Sequence, residues 1–390
     1  MNKDRYLFLR LKLLITGLIP SLLFLFIPKL KNRVIFSSEF NLTYKHNSKF
    51  LFEYFIKHYP EKETKFVIND ANLRSQLTSE IGDYFIESES FLGMLYVLRA
   101  KTWVVSSLET PVGGLFLNVR RYVYHLGHGT PIKNIGLLEK YTNVKKKMYL
   151  KLIRNNFSYF FSTSEAFRST WAGFTGVKLN KVVIMGQARN DVLYTPDEAL
   201  FDRVTGGGSG KRVLYAPTWR AFGETNLFPF DGVDIKRLFA FLQQNNITIF
   251  LRLHPNFETS VPNELLTSDR VKLLSSKDVV EINDILGAFD LLISDYSSIY
   301  IDFLVTHKPI LFLPYDYSKY KQEIGFTIPY QQYTPGPKPT TQDDFEFELK
   351  KLIFSSDYYH HQRVQTNNEL NPLDGDNCQR NSEFIVNHLQ

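Results

Sequence analysis

Segments with the pattern of β-strands alternate with segments of helical spacing, and this alternation occurs twice along the 390 residues. The first series begins with a strand at 33–37 and a helix at 47–58, and the second with a strand at 213–216 and a helix at 234–244. Such alternation requires a parallel sheet with both faces covered. We therefore predict an α/β fold of two facing Rossmann-like domains, in which ligands bind beyond the carboxyl ends of the strands.

Sequence composition divides the chain into four parts. Residues 1–32 are basic and apolar, residues 33–194 form the first predicted domain, and residues 212–390 form the second, with helices at its carboxyl end. Residues 195–211 are predicted to be a linker with a flexible loop, because glycine dominates positions 205–210. The other predicted elements are strands at 65–68, 102–106, 182–185, 247–253, 291–293 and 309–313, and helices at 91–98, 282–289, 345–354 and 381–389.

Bulk composition excludes several classes of protein. Hydrophobic residues make up 44% of the chain and charged residues 22%, as in ordinary folded proteins. The single cysteine, Cys378, excludes an intramolecular disulfide framework and a cysteine-rich zinc site, and it is compatible with a reducing compartment. We expect no metal, no organic cofactor and no nucleic-acid partner.

The amino-terminal segment combines an apolar run with basic residues on both sides. The run, residues 13–28, has 16 residues, whereas a spanning helix needs about 20. Three interpretations remain: a signal anchor, a monotopic helix in the membrane interface, or a buried first helix. No small-residue cleavage site follows, which argues against a cleaved signal peptide. Because flanking lysines and arginines suit an anionic cytoplasmic membrane surface, we predict peripheral attachment there.

Two further basic groups lie in the first predicted domain. They are Arg120 with Arg121, and the group formed by Lys145, Lys146, Lys147, Lys151 and Arg154. Either group extends the membrane surface, binds an anionic acceptor, or is simply a solvated charged face.

Small polar residues follow a buried strand near position 294. Asp295, Ser297 and Ser298 lie between this strand and a predicted helix, where backbone N–H groups and the helix dipole favour a phosphate. The structural alternative is that Asp295 and Ser297 only cap the helix. Asp302 lies seven residues, about two helical turns, after Asp295, so the two carboxylates are predicted to share a face. For Asp302, helix packing and ribose binding are both open.

His128 lies between two glycines in a loop after a predicted strand that starts at Tyr122. Glycine on both sides lets the backbone approach a ligand closely, and an imidazole can accept a proton from an attacking hydroxyl. The alternative is a loop histidine without a role. His125 is assigned to the strand, since the two histidines lack a nearby carboxylate or thiol that would complete a metal site.

Two strand ends of the second domain carry further polar residues. Thr218, Trp219 and Arg220 follow one strand, and His254 follows another, directly before Pro255. His254 is predicted to donate to a phosphate oxygen and Arg220 to offset its charge. Each residue has a structural alternative, with Trp219 in the core and Arg220 in a surface ion pair.

These segments together resemble the CDP-glycerol glycerophosphotransferase family, which comprises the teichoic acid glycerol- and ribitol-phosphate transferases. The resemblance spans residues 33–385 and rests on 127–133, Gly186 with 189–191, 215–220, 252–255, 294–298 with Asp302, 308–309, Tyr320, 325–326, 335–337 and 374–375.

The resemblance implies a GT-B-like fold with the active site between two domains. It implies transfer of glycerol phosphate or ribitol phosphate from CDP-glycerol or CDP-ribitol to a lipid-linked saccharide or polyol-phosphate acceptor, with release of CMP. His128 matches the general base, and His254 with the 295–298 turn matches the contacts to the donor phosphates. The donor-binding residues would be Thr218, Arg220, Asp295, Ser297, Ser298 and Asp302. Acceptor or phosphate contacts are assigned to Lys133, Arg189, Asn190 and Asp191.

Three positions depart from the family pattern. The family commonly has an aromatic residue where Gly127 stands, a proline at Ala188 and an arginine at Ile324. The last change removes a phosphate-binding cation, so either Lys319 or Lys321 substitutes for it or the substrates are held differently.

Two rival functions remain. One is a GT-B glycosyltransferase that uses a sugar nucleotide, and the other is a membrane-bound scaffold that binds nucleotide without turnover. Within the family, the absence of an extra domain for a long polymer favours a primase or short-chain transferase over a processive polymerase.

Overall fold

The computed structural model describes residues 3–207, 210–220, 223, 225–355, 357–373 and 375–389, without the side chains of residues 3–5 and 256. Two compact units are present, the first formed by Met1–Asp191 with Leu373–Gln390 and the second by Val192–Pro372. Gly208 and Ser209 of the predicted flexible loop, and Asp374 of the family pattern, lie outside the described residues.

Each unit is built on one parallel sheet. The strands of the first unit are β1 (Leu30–Ser37), β2 (Glu63–Val67), β3 (Phe85–Ile86), β4 (Ala100–Val105), β5 (Tyr122–His125), β6 (Tyr159–Ser162) and β7 (Val182–Ile184). Those of the second unit are β8 (Lys211–Ala216), β9 (Ile247–Leu251), β10 (Val271–Leu273), β11 (Leu291–Ser294) and β12 (Ile310–Phe312).

Helices connect the strands. They are α1 (Lys3–Leu23), α2 (His46–His58), α3 (Ala71–Ile81), α4 (Phe91–Leu98), α5 (Val144–Ile153), α6 (Arg168–Thr175), α7 (Glu198–Thr205), α8 (Ile235–Gln244), α9 (Asn283–Leu286), α10 (Ile299–Phe303), α11 (Tyr317–Glu323), α12 (Gln342–Phe354), α13 (His360–Leu370) and α14 (Asn377–Asn387). The predicted α/β class with parallel sheets is therefore observed.

Strand order places a reversal in each sheet. The order is β3-β2-β1-β4-β5-β6-β7 in the first unit and β10-β9-β8-β11-β12 in the second. In the first sheet, β2 and β3 lie on one side of β1 and the later strands on the other; in the second sheet, β9 and β10 lie on one side of β8, and β11 and β12 on the other. The loops after β1 and β4, and after β8 and β11, therefore diverge. Crevices for ligands form at such points.

The central strands are buried on both faces, which explains their continuous apolar sequences. Val34, Ile35 and Phe36 of β1 are fully buried, as are Leu292 and Ile293 of β11. Side chains that alternate in direction along a strand therefore all meet covering helices or loops. This packing fixes the strand ends, from which the polar residues project.

Helix α1 lies on the surface of the first unit and packs through one face. Gly17 meets the backbone of Gly113 so closely that a Cβ atom would not fit. Arg10 Nε pairs with the buried Glu109 carboxylate at 2.5 Å, and the Leu115 N–H donates to Ser21 Oγ at 3.3 Å. Gly17 and Ser21, which interrupt the apolar run, thus form the contact between α1 and the rest of the first unit.

The opposite face of α1 is exposed and apolar. Phe8, Ile15, Ile19 and Leu23 are each about two-thirds exposed. By length and composition, the segment Tyr6–Leu23 is apolar enough to cross a membrane, and 11% of it is buried within the protein. The alternative of a buried first helix therefore does not fit.

Two stretches differ from the predicted domain plan. Residues 195–211 were assigned to a linker, but α7 occupies Glu198–Thr205 and ends at Gly206, whose left-handed φ of 80° suits a helix C-cap. Residues 373–390 were assigned to the second domain, yet they belong to the first unit. The glycines that follow α7 hide so short a helix in the sequence pattern. The contact of residues 373–390 with the first unit joins distant segments, and local sequence patterns do not report such contacts.

Asp191 and Phe384 hold the carboxyl-terminal segment on the first unit. The Asp191 carboxylate accepts hydrogen bonds from Asn377 N at 3.0 Å and Cys378 N at 2.7 Å, at the start of α14. The Phe384 ring packs on Tyr159 and Phe161 of β6 at 5.3 and 5.7 Å. The attachment is therefore both polar and apolar.

We predict that Asp191→Asn releases the start of α14, because an amide accepts these hydrogen bonds less strongly than a carboxylate. The free energy of unfolding should fall by about 1–3 kcal/mol, and amide hydrogens of Asn377–Asn387 should exchange faster. The matched control, Asp197→Asn at the N-cap of α7, should leave exchange in α14 unchanged. Equal exchange of α14 in wild type and Asp191→Asn would contradict this role.

Candidate active site

His128 follows β5 and is held by the end of the neighbouring strand. Its Nδ1 lies 3.0 Å from the carbonyl oxygen of Ser106, the residue after β4. Because a carbonyl can only accept, Nδ1 must carry the hydrogen and donate it. The other ring nitrogen, Nε2, is then unprotonated in the neutral ring and has a lone pair for a proton.

The electrostatic surroundings keep this imidazole neutral. The side chain reaches the surface of the unit, but desolvation by the surrounding protein lowers the pKa of His128 below 6.5. The Ser106 hydrogen bond and the charge of Glu39 act in the opposite direction, and the charge of Arg189 lowers the pKa further. At pH 7 the ring is therefore a base that can accept a proton.

A polar shell fixes the His128 loop. Arg189 Nη1 donates to the His128 carbonyl oxygen at 3.0 Å, and Arg189 N donates to Asn47 Oδ1 at 3.1 Å. Asn47 Nδ2 in turn donates to the carbonyl of Gly127 at 2.9 Å. The His46 ring lies 5.3 Å from the His128 ring, measured between centroids. Arg189 thus holds the loop backbone from a buried position.

The departure at Gly127 has a steric cause. Gly127 has a φ of 73°, and a Cβ there would lie 2.9 Å from the Trp171 indole. Trp171 occupies the space that an aromatic residue at position 127 would need. His125, on the buried side of the same strand, packs on Phe157, Phe160 and Trp171, and burial lowers its pKa to about 3. Its assignment to the strand is observed.

The remaining predicted contacts of the first domain occupy different environments. Lys133 is half-buried in the loop that follows His128. Asn190 is 2% exposed, and its N–H donates to the Gln187 carbonyl. Asp191 is engaged with α14 as described above. The structure therefore brings Arg189 against the His128 loop and places Asp191 in a structural role.

In the second unit, Asp295 joins the ends of β8 and β11. Its carboxylate accepts a hydrogen bond from Thr218 N at 2.7 Å and pairs with Arg220 Nη2 at 2.8 Å. Arg220 also pairs with Asp316, through Nε at 2.7 Å. Burial alone would lower the pKa of Arg220, but Asp295 and Asp316 outweigh it and raise that pKa.

This geometry changes the predicted role of Arg220. The side chain is 2% exposed and is shared by two carboxylates, so its charge is already balanced within the protein. The surface ion pair considered for Arg220 is therefore a buried one. Thr218 differs, because its buried Oγ1 has no hydrogen-bond partner within the described part of the chain. A buried hydroxyl of this kind can donate to a ligand.

The predicted phosphate turn precedes a very short helix. Helix α10 has five residues, Ile299–Phe303, and begins four residues after Asp295. Asp295 and Asp302 therefore do not share a helix face, which corrects the spacing argument, and the dipole of so short a helix is small. Ser297 and Ser298 are half-buried, and Ser297 Oγ accepts from Ile299 N at 3.4 Å. Asp302 is 1% exposed, as its helix-packing alternative requires.

A cluster of buried aromatic residues contacts the turn that contains Asp295. Tyr296, Tyr320 and Tyr330 are buried together, and Ile324 packs against them. The Tyr330 hydroxyl donates to the Asp295 carbonyl at 3.0 Å, and the Tyr296 hydroxyl donates to Asp316 at 3.1 Å. Ile324 therefore makes an apolar contact where the family commonly has an arginine. The two lysines considered as substitutes, Lys319 and Lys321, are exposed on α11.

His254 is exposed at the end of β9, beside other aromatic residues. Its ring lies 6.5 Å from Trp219 and 6.1 Å from Phe257, and the Trp219 ring lies 5.7 Å from Phe257. Trp219 is 38% exposed and so lies outside the core. Because β9, β8 and β11 are neighbours, His254, Thr218 and Ser297 all follow adjacent strand ends.

The sequence analysis did not identify several residues that surround His128 or pair with Arg220. Ser106, Asn47 and Glu39 surround His128, and Asp316 completes the ion pairs of Arg220. Ser106 was placed inside a predicted strand, and Asp316 lies shortly after one. A search for polar residues at the last position of each predicted strand and in the loop after it would have found both.

Comparison with known proteins gives the relatives of this chain. The profile described as CDP-glycerol:poly(glycerophosphate) glycerophosphotransferase matches residues 20–388. A teichoic acid glycerol-phosphate transferase of Staphylococcus aureus is 28% identical over 347 residues, covering 84% of this chain and 86% of that protein. A teichoic acid poly(glycerol phosphate) polymerase of Bacillus subtilis is 29% identical over 354 residues, covering 85% of this chain and 45% of its own length.

Two further similarities concern length and fold. A teichoic acid ribitol-phosphate polymerase, TarL of S. aureus, is 36% identical over 172 residues, which cover 41% of this chain and 30% of that protein. This chain thus spans less than half the length of both polymerases. A solved structure of the wall teichoic acid polymerase TagF matches with a TM-score of 0.76 and 20% identity, covering 93% of this chain and 90% of that one.

The TagF likeness confirms the GT-B-like fold class, and the profile confirms the resemblance carried by the motifs. With 20–388 matched, the chain belongs to the CDP-glycerol:poly(glycerophosphate) glycerophosphotransferase family, a family of enzymes.

Proposed function

We propose that the protein transfers glycerol phosphate or ribitol phosphate from a CDP-polyol to a hydroxyl of a membrane-linked acceptor in teichoic acid or capsule-type polymer synthesis. The observation that carries this proposal is the hydrogen bond from His128 Nδ1 to the Ser106 carbonyl, which leaves the lone pair of Nε2 for a proton, in a chain of this family. The acceptor would be a lipid-linked saccharide or polyol phosphate.

In the proposed reaction, the acceptor hydroxyl attacks the β-phosphorus of the donor. His128 Nε2 takes the hydroxyl proton as the new phosphorus–oxygen bond forms. The bond from the β-phosphorus to the bridging oxygen breaks, and CMP leaves with that oxygen. The product is a phosphodiester. A base within reach of the attacking hydroxyl and donors at the phosphates are what this chemistry requires.

Residues of the second unit are proposed to hold the donor. The unpartnered Oγ1 of Thr218 and the half-buried Ser297 and Ser298 offer hydroxyl donors to the pyrophosphate. His254 is exposed and suits a donor to a phosphate oxygen. Asp295 and Arg220 position these loops, since both are occupied with each other. For the buried Asp302, ribose contact would require a rearrangement of α10.

His128→Ala should abolish transfer while leaving donor binding intact. We expect kcat to fall by about 10²–10⁴, the usual contribution of a general base, with little change in the Kd of CDP-glycerol. CMP release and calorimetric binding measure the two effects. The control His58→Ala, on the exposed part of α2, should behave as wild type. An unchanged rate in His128→Ala would contradict the assignment.

The activity should be lost on acidification. His128 acts as a base only when neutral, and its pKa lies below 6.5, so kcat/KM should fall on the acid side with a midpoint below pH 6.5. Glu39 raises this pKa, so Glu39→Gln should move the midpoint to lower pH by about 0.5–1 unit.

The pH–rate profile of Glu61→Gln, an exposed carboxylate remote from this loop, is the control. A midpoint that stays in place or moves to higher pH in Glu39→Gln would show that His128 is not the titrating base.

We also propose peripheral attachment to the cytoplasmic face of the membrane through α1 and α5. Helix α5 exposes Val144, Met148 and Leu152 at a spacing of four, among the lysines at 145, 147 and 151. The segment that follows α5 contacts the loop on which α1 packs, because Asn156 Nδ2 donates to the Gly114 carbonyl at 2.8 Å and Gly114 lies against Ser21 of α1. Together the helices offer apolar side chains among cations, which suits an anionic interface.

Replacing Ile15 and Ile19 by serine should release the protein from vesicles that contain phosphatidylglycerol. Burial of an isoleucine side chain contributes about 1.5–3 kcal/mol, so the partition coefficient should fall at least about tenfold. Flotation of vesicles measures it. The control replaces Val280 and Phe347, each 63% exposed in the second unit, by serine. Equal flotation of the two variants would refute attachment through α1.

A further inference from the structure

A pocket with no assigned role lies at the amino-terminal edge of the first sheet. Tyr122, Ser158, Tyr159 and Lys181 line it, at or next to the first residues of β5, β6 and β7, and its volume is about 600 Å³. His128 follows the carboxyl end of β5, so the pocket lies at the opposite edge of the same sheet. The volume is within the usual range of sites for small ligands.

The charges around the pocket have one sign. Arg154, Lys178 and Lys181 line it, and its lining contains no aspartate or glutamate. Within the described residues, none of the three cations has an ion pair. Burial and the charge of Lys178 both lower the pKa of Lys181, as expected for cations brought together without a counter-ion. Arg154 and Lys178 are exposed and Lys181 is half-buried, so the pocket presents positive charge to a ligand that enters from solvent.

Polar residues also line the pocket. Asn118, Asn155, Asn180 and Ser158 are among them, and each has a side-chain group that can donate. Lys181 is held in place, because its Nζ donates to the Phe157 carbonyl at 2.8 Å. Several donors around an arginine and two lysines match a phosphate, which has three or more acceptor oxygens.

The surroundings indicate that the phosphate belongs to a larger molecule. The pocket is open, and Arg154 and Asn155 directly follow α5, whose exposed apolar stripe ends at Leu152. On the other side, Asn118 lies between the exposed Phe116 and Val119. A phosphate in this pocket would therefore lie next to the surface proposed to meet the membrane.

We propose that this pocket binds phosphate groups of a membrane-associated molecule at a place separate from His128. Two sources share this chemistry: the headgroup of an anionic phospholipid and a phosphodiester of a polyol-phosphate chain. The proposal extends the proposed function but concerns binding alone, so it can be tested without donor turnover.

The test compares three variants of the full chain. The first, Arg154→Gln with Lys178→Gln and Lys181→Gln, removes the cations, and the second, Asn155→Glu, keeps them but adds a carboxylate at an exposed position. The third is a charge-matched control, Lys57→Gln with Lys277→Gln and Lys350→Gln, all exposed elsewhere. Thermal unfolding establishes that each variant folds. Binding is measured to phosphatidylglycerol vesicles and to a soluble glycerol-phosphate oligomer.

We expect both pocket variants to bind at least one probe about tenfold or more weakly than the control. Loss with vesicles alone identifies a lipid headgroup, and loss with the oligomer identifies the polyol-phosphate chain. Affinities equal to the control for both probes in both folded variants would overturn the proposal. Because CMP release is not part of the measurement, failure of the catalytic proposal would leave this result interpretable.

Discussion

The loops proposed to bind the donor depend on one buried group of ion pairs in the second unit. The Arg220 guanidinium pairs with both Asp295 and Asp316, and Asp295 also accepts the N–H of Thr218. These contacts join the loops after β8, β11 and β12, which would otherwise diverge at the reversal in strand order. Removing one partner of a buried pair typically costs about 3–5 kcal/mol. The loops proposed to hold a pyrophosphate therefore depend on charges that are paired within the protein.

In the first unit, hydrogen bonds rather than ion pairs position the proposed base, His128. A single carbonyl, that of Ser106, sets the tautomer of His128, and the backbone of the histidine loop is held by Asn47 and Arg189. Ser106 follows β4 and His128 follows the neighbouring parallel strand β5. The distance between these two residues is therefore set by the sheet rather than by flexible loops. The proposed base is thus exposed, while Asn47 and Arg189, which position it, are buried.

The sequence predicted the local elements better than the contacts between distant residues. Helix α4 was predicted with its observed bounds, Phe91–Leu98, and in the structure the Ser90 side chain caps it. Strand β11 was likewise evident from its apolar residues. The attachment of α14 was missed because Asp191 and Asn377 are 186 residues apart, and no periodicity reports such a contact. Arg220 was identified as a candidate site residue, but its pairing with Asp295 and Asp316 was not predicted, because the two carboxylates follow other strands.

The central claim is that phosphorus, and not a sugar carbon, is the atom attacked. The most direct test follows both phosphorus atoms of CDP-glycerol by ³¹P NMR during turnover with a lipid-linked acceptor. We predict that the α-phosphorus appears in CMP and the β-phosphorus in a new phosphodiester. A glycosyltransferase would leave CDP-glycerol intact, and it would consume a UDP-sugar with both phosphorus atoms retained in UDP. That outcome would contradict the proposed phosphotransfer.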